Sequence, residues 1–198
     1  EILNLPGDYK LSKLINALAL QIGNIVNYNE LSSITGFSYK ELLHHLNILE
    51  KTFIILKSQP FFTNKRIELV KAPKVFLLDS GFRNAVIKNF QPVSNRPDKG
   101  GLYENFVASE LVKNGKDLRY WRTKSKAEVD FVVEDEGVRI PIEIKSSIKA
   151  PKLTKSFSSF LDKYKPKIGF VFSERFFHER GIVAFRPIFS VSKEIKGD

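Results

Sequence analysis

The chain has 198 residues, 42% of them hydrophobic, enough for one substantial core or two small ones, and it contains no cysteine. That excludes a disulfide framework or a cysteine-based zinc site and suits a reducing cytoplasm, where the chain is expected to reside. No apolar run approaches the roughly 20 residues of a membrane span and no secretory signal leads the sequence, while a net charge of +10 favours a polyanionic partner.

Taken in order, Leu11, Leu14, Ile15, Leu18 and Ile22 recur at helical spacing and predict an amphipathic helix that stops near Gly23. A second short helix is predicted over 29–35, ended by Gly36. The third begins at Ser38, where Ser38 and Glu41 have the spacing of a capping box, and turns Leu42, Leu43, Leu46 and Leu49 inward. Strands over 53–56 and 66–70, separated by a turn region with Pro60 and Asn64, complete the order of a winged helix over 1–73. Its third helix would offer DNA Tyr39, Lys40, His44, His45 and Asn47. Only Lys40 is permanently positive, and Glu41 and Glu50 oppose it, so a spacer or protein-docking role stays open.

A second unit, 74–198, opens with a strand near 75–78, a helix capped at Asp79 and running through Val86, and a Pro-rich loop over 89–99. A helix over 100–114 follows. Glu104 lies on it with Val107, Ala108 and Leu111 at i+3, i+4 and i+7, so this carboxylate sits within an apolar stripe and needs a partner. Strands are expected near 118–123, 127–134 and 137–145. In the second of these, Ala127, Val129, Phe131 and Val133 alternate with Glu128 and Asp130; in the third, Val138, Ile140, Ile142 and Ile144 alternate with Glu143 and Lys145. The polar run 134–137 reads as a hairpin connection. Pairing Val133 with Val138 would set Asp130 against Pro141 and Glu128 against Glu143, making Asp130 and Glu143 diagonal neighbours roughly 7 Å apart on one face. A helix over 153–164 and strands over 167–172 and 182–189 complete an α/β unit of strands bracketed by helices. The segment 176–180 reads as a loop with anchoring aromatics.

Hard carboxylate oxygens can hold Mg²⁺ or Mn²⁺, and such an ion supplies a hydroxide and counter-charge for phosphodiester hydrolysis. Asp130 and Glu143 are the candidate metal ligands, Glu104 a third ligand or an orienter of the others, and Lys145 the electrostatic partner for a water or phosphate oxygen. Charged residues on a hairpin's outer face are also often simply solvated. Basic residues flank the acidic cluster on both sides. Arg122, Lys124 and Lys126 precede Asp130, and Lys149 and Lys152 follow Lys145, so these five, with Lys40, are the candidate nucleic-acid contacts. Trp121 reads as core, and Arg122 beside it as a phosphate clamp or an offset to the carboxylates.

Glu in a helix, Asp in a strand and Glu143-Ile144-Lys145 in the next strand resemble the PD-(D/E)XK nuclease superfamily, with a spacing like that of archaeal Holliday-junction resolvases. Lys74-Val75-Phe76-Leu77-Leu78-Asp79-Ser80-Gly81, Gly101-Leu102-Tyr103-Glu104-Asn105-Phe106, Tyr120-Trp121-Arg122-Thr123 and Glu128 to Val133 further resemble the C-terminal half of an archaeal and bacterial AAA-type ATPase family. There a P-loop ATPase precedes a winged-helix segment and a PD-(D/E)XK-like domain. The resemblance implies an α/β fold, with a winged-helix module followed by a nuclease-like mixed sheet flanked by helices. It implies a divalent-metal-dependent DNA endonuclease, or alternatively a catalytically inactive DNA- or protein-binding regulatory module. No Gly-x-x-x-x-Gly-Lys-Ser/Thr occurs and the chain begins at Glu1, so a C-terminal fragment is expected. ATP would bind only in the part ahead of it, and the parent ATPase would be a partner in cis. No membrane is expected as a partner, and self-association could occur.

Overall fold

The computed structural model describes residues 6–62, 71–135 and 137–196. Three helices open the chain: α1 (Pro6–Leu20), α2 (Tyr28–Thr35) and α3 (Tyr39–Lys51). Their boundaries follow local chemistry. Asn27 caps α2 through the Glu30 amide, and Gly36 ends it in the left-handed region at φ 73. Ser38 and Glu41 form the expected capping box on α3. Leu14, Leu18, Leu31, Leu42, Leu46 and Leu49 bury together against Ile55 and Val75, which joins this helical layer to the sheet.

Eight strands follow among the described residues: β1 (Ile55–Pro60), β2 (Lys74–Leu77), β3 (Arg119–Arg122), β4 (Glu128–Asp135), β5 (Val138–Lys145), β6 (Gly169–Ser173), β7 (His178–Arg180) and β8 (Val183–Pro187). They form one mixed sheet in the order β2-β1-β3-β4-β5-β6-β8-β7. The winged-helix strand expected over 66–70 lies outside the described residues. Within them β1 pairs antiparallel with β2 and parallel with β3, so the sheet runs without a break from the N-terminal helices to the carboxylate strands. The segment 176–180, expected as a loop, instead supplies the three-residue strand β7, which pairs with β8 at the sheet's edge with all three residues exposed. An exposed edge strand has no alternating pattern to betray it.

The helices α4 (Ser80–Val86), α5 (Lys99–Lys113), α6 (Lys155–Tyr164) and α7 (Val191–Glu194) complete the α/β fold. Val107, Ala108 and Leu111 of α5 pack with Phe131, Val133, Ile142, Ile144 and Phe172 in one core. Phe157 and Phe160 of α6 pack with Trp121, Val129, Val132, Val171 and Phe185 in another. Trp121 is therefore core, as read from the sequence.

Two features of the central hairpin differ from the sequence reading. The β4–β5 register pairs Val133 with Ile140 and Phe131 with Ile142, two residues along from the expected pairing, because the ladder extends to Asp135 and Val138 beside Gly137 at φ 76. A shift of two leaves the side chains of the paired residues on their faces, and the ladder ends at the Phe131–Ile142 pair, one residue short of Asp130 and Glu143. The alternation in β4 is also broken. Arg119 pairs with Val132 and Trp121 with Val129, so two steps along β3 match three along β4, and an extra residue sits at 130–131. Val129 consequently packs with Trp121 and Phe157, whereas Phe131 packs in the core below α5.

Candidate active site

The bulge places Asp130. Beyond the Phe131–Ile142 pair, the Ile144 amide donates to Asp130 Oδ2 at 2.7 Å. A side-chain carboxylate thus takes an amide that strand pairing would otherwise use, at the point where β4 and β5 stop pairing. Glu104 approaches from α5, and Glu143 and Lys145 come from β5.

Asn105, next to Glu104, locks the helix to the sheet. It accepts from the Leu77 amide at 2.8 Å and donates to the Leu77 carbonyl at 2.9 Å, satisfying both groups of one β2 residue. Ser109 adds a bond to the Leu78 carbonyl at 2.6 Å. Gly23, at φ 77, closes over the carboxylate: a Cβ there would stand 2.9 Å from Glu104 Oε2. Only glycine combines that backbone with that approach.

The cluster holds two residues whose roles the sequence did not reveal. Lys74, at the start of β2 and 3% exposed, lies 2.5 Å from Glu128 Oε1. Its charge also reaches Glu104 and Asp130. A lysine opening an otherwise apolar strand was the available signal. Thr154, the N-cap of α6, donates to Glu143 Oε2 at 2.9 Å, while Lys145 Nζ stands 2.6 Å from Glu143 Oε1. Both oxygens of Glu143 are therefore engaged.

Glu104 and Asp130 are placed differently. Among the described residues neither has an ion-pair partner at bonding distance. Burial, helped by the Asp130 charge, pushes Glu104 up to about 7. Burial likewise raises Asp130 to about 6, against the opposing pull of Lys74 and of the Ile144 amide. Burial works against the charge of Lys145, but its bond to Glu143 and the other carboxylates hold its pKa above the ordinary value.

Two hard carboxylates short of counter-charge fit a divalent cation. Glu143, tied to Lys145 and Thr154, offers no open oxygen beside them. Among the described residues no three acidic, histidine or cysteine side chains stand as a ready metal-holding group.

Of the basic candidates, Arg122 lies 3.4 Å from Glu128 and acts first as a neighbour of the cluster. Lys124 and Lys126 are exposed in the turn between β3 and β4. Lys149 and Lys152 line a depression of about 310 Å³ together with Lys145. Lys40 is exposed in the first turn of α3, within the N-terminal helical layer. His45 stacks on Phe37, with ring centroids 4.2 Å apart, and bonds the Glu41 carbonyl, which occupies it structurally. No helix among the described residues is long and apolar enough to cross a membrane.

Comparison with known proteins places two family matches on this geometry. Residues 6–93 match a family described as a domain of unknown function, DUF8612, and residues 99–186 match another, DUF4143. Lys74 thus falls in the first match and Glu104, Asp130, Glu143 and Lys145 in the second. The chain is 26% identical over 148 residues to uncharacterized proteins of Mycobacterium tuberculosis and Mycobacterium bovis, an overlap covering 73% of this chain and 33% of each relative. The chain therefore spans about a third of the length of the curated relatives it matches. No solved structure matches it. The carboxylates of the cluster rest on an α/β chain whose residues 99–186 match the DUF4143 domain family.

Proposed function

We propose that this chain is the nuclease-like C-terminal module of an AAA-type ATPase, hydrolysing DNA phosphodiesters with Mg²⁺ or Mn²⁺. The observation that carries the reading is the pair Glu104 and Asp130, brought together from α5 and the β4 bulge with no described cation bonded to either. Both are held towards the neutral form by burial, so a cation there would recover the cost of ionising them. A bound divalent ion would supply a hydroxide near neutral pH and offset phosphate charge. Glu104 and Asp130 would hold it. Glu143 would join them on release from Lys145, whose side chain is 41% exposed and could then meet a phosphate oxygen. Lys74, bound to Glu128, would remain a fixed positive charge behind the carboxylates.

A second reading has its own support. Glu143 is filled by Lys145 and Thr154, as expected if the charged residues persist as a structural network in a regulatory module that binds DNA or protein. The experiment is incubation with duplex, single-stranded and branched DNA in Mn²⁺ or Mg²⁺, beside Asp130→Ala and Lys145→Ala. Metal-dependent cleavage lost in both variants supports the nuclease. DNA binding without cleavage, indifferent to Asp130→Ala, supports the regulatory module.

A further inference from the structure

Beside Lys145 the structure holds a groove that the carboxylate chemistry does not use. Two open depressions, of about 460 and 310 Å³, share Ser147 and Ile148 and so lie side by side between the loop after β5 and the loop after β6. Lys145, Lys149 and Lys152 line one end, and Ser173 and Arg175 line the other. Its one carboxylate, Glu174, is already bound to Lys99 at 2.7 Å. Lys149, Lys152 and Arg175 are exposed and have no ion-pair partner among the described residues.

The independent sign of a ligand is Ser173. It lies opposite Lys145 in the parallel β5–β6 register, is 1% exposed, and its hydroxyl has no hydrogen-bond partner. A buried hydroxyl without a partner is costly, and a ligand oxygen at this end of the groove would remove the cost. The groove's wall is also fixed in place. Arg180 of β7 donates to the Pro151 carbonyl at 2.8 Å and anchors the lysine-bearing loop to the sheet edge.

Chemistry then selects the occupant. Unpaired cations spaced along this groove, with the exposed Ser147 hydroxyl on its lining and the buried Ser173 hydroxyl beneath it, suit a chain of phosphates better than one compact anion. We propose that this groove seats the phosphodiester backbone of a DNA strand, with Ser173 and Ser147 donating to one phosphate and Lys149, Lys152 and Arg175 neutralising its neighbours. Its place next to the reacting phosphate rests on the nuclease reading; the binding itself does not.

The test is anisotropy of a labelled oligothymidylate in EDTA, which reports backbone contact without base pairing or metal. The combined variant Lys149→Gln, Lys152→Gln, Arg175→Gln should weaken binding at least tenfold and flatten the salt dependence by about three phosphates' worth, at roughly 0.7 in slope per phosphate. Ser173→Ala, which preserves the strand, should weaken binding severalfold with the salt slope unchanged. A charge-matched variant, Lys51→Gln, Lys88→Gln, Lys113→Gln, should bind nearly as the unmodified chain does. Equal losses in both triple variants, or no loss in the first, would overturn the groove. Because no metal is present, a failed cleavage assay leaves this result standing, and loss of groove binding leaves the metal site standing.

Discussion

Two clusters of buried charge share this fold and are balanced in opposite ways. At the junction of α1, α4 and α5, Arg83 and Arg96, 2% and 1% exposed at their side chains, both bind Asp98. Arg96 grips it with two bonds, at 2.9 and 2.8 Å, and Arg83 also donates to the Ala19 carbonyl at 2.9 Å. Arg96 completes its set with Asn84 and the Asn89 carbonyl. These guanidiniums hold the Asp98 carboxyl well below its ordinary range. In the other cluster four carboxylates meet two lysines, and Glu104 and Asp130 are pushed upward. A saturated cluster whose carboxylate is made more acidic fastens helices together. A cluster short of positive charge, whose carboxylates are made less acidic, favours a proton on them and leaves room for a cation, which is what the proposed function calls on.

That contrast can be broken at either side. The largest effect should come from Arg83→Ala, which removes one of the two guanidiniums on Asp98 and leaves the Ala19 carbonyl without its side-chain donor; a loss of about 4 kcal/mol is expected in urea denaturation. A loss under about 1 kcal/mol would mean that the junction is not a fastening. Lys74→Met should cost somewhat less, about 3 kcal/mol, since Glu128 retains Arg122 at 3.4 Å. The same substitution should raise the pH at which Glu104 ionises, readable by carbon-detected NMR of the carboxyl. An unmoved titration would remove Lys74 from the site.

A smaller effect sharpens the comparison through pH. Glu104 ionises near 4.5 in an unfolded chain and near 7 when folded, so between those values the folded state binds more protons. Metal-free stability should therefore fall as pH rises through that window, by on the order of 2 kcal/mol. Asp98 acts with the opposite sign: its contribution is present above its ordinary value of 3.8 and is lost as the solution is acidified below it. Glu104→Gln should remove the fall between about 6 and 7 and make it shallower below, where Asp130, raised to about 6, still contributes, and should leave the acid limb intact. A stability profile unchanged by that substitution would place Glu104 in water.

Much of this was readable from residue order. Ser38 with Glu41, Gly36, and the apolar stripe around Glu104 act locally, and local rules carried them into the structure. That Glu104 stands on a helix and Asp130, Glu143 and Lys145 on adjacent strands was legible from helical and strand periods, whereas the placing of Asp130 was not, because the bulge breaks the alternation there. The register was not, because a two-residue slip preserves every face and the polar run 134–137 does not mark where the connection begins. The bulge at 130–131 depends on β3, a separate strand, and no local pattern announces it. Lys74 stayed hidden for a similar reason. Its value comes from Glu128, distant in sequence, and a lysine at a strand's first position ordinarily faces solvent.

The most direct test of the central claim, that Glu104 and Asp130 form a cation site, is calorimetric titration of the metal-free chain with Mn²⁺ at pH 6.5 in buffers of different ionisation enthalpy. The account predicts one bound ion, protons released on binding from carboxyls that burial had kept partly neutral, and loss of both signals in Glu104→Gln with Asp130→Asn. No Mn²⁺ binding, or binding that survives the double substitution unchanged, would contradict it.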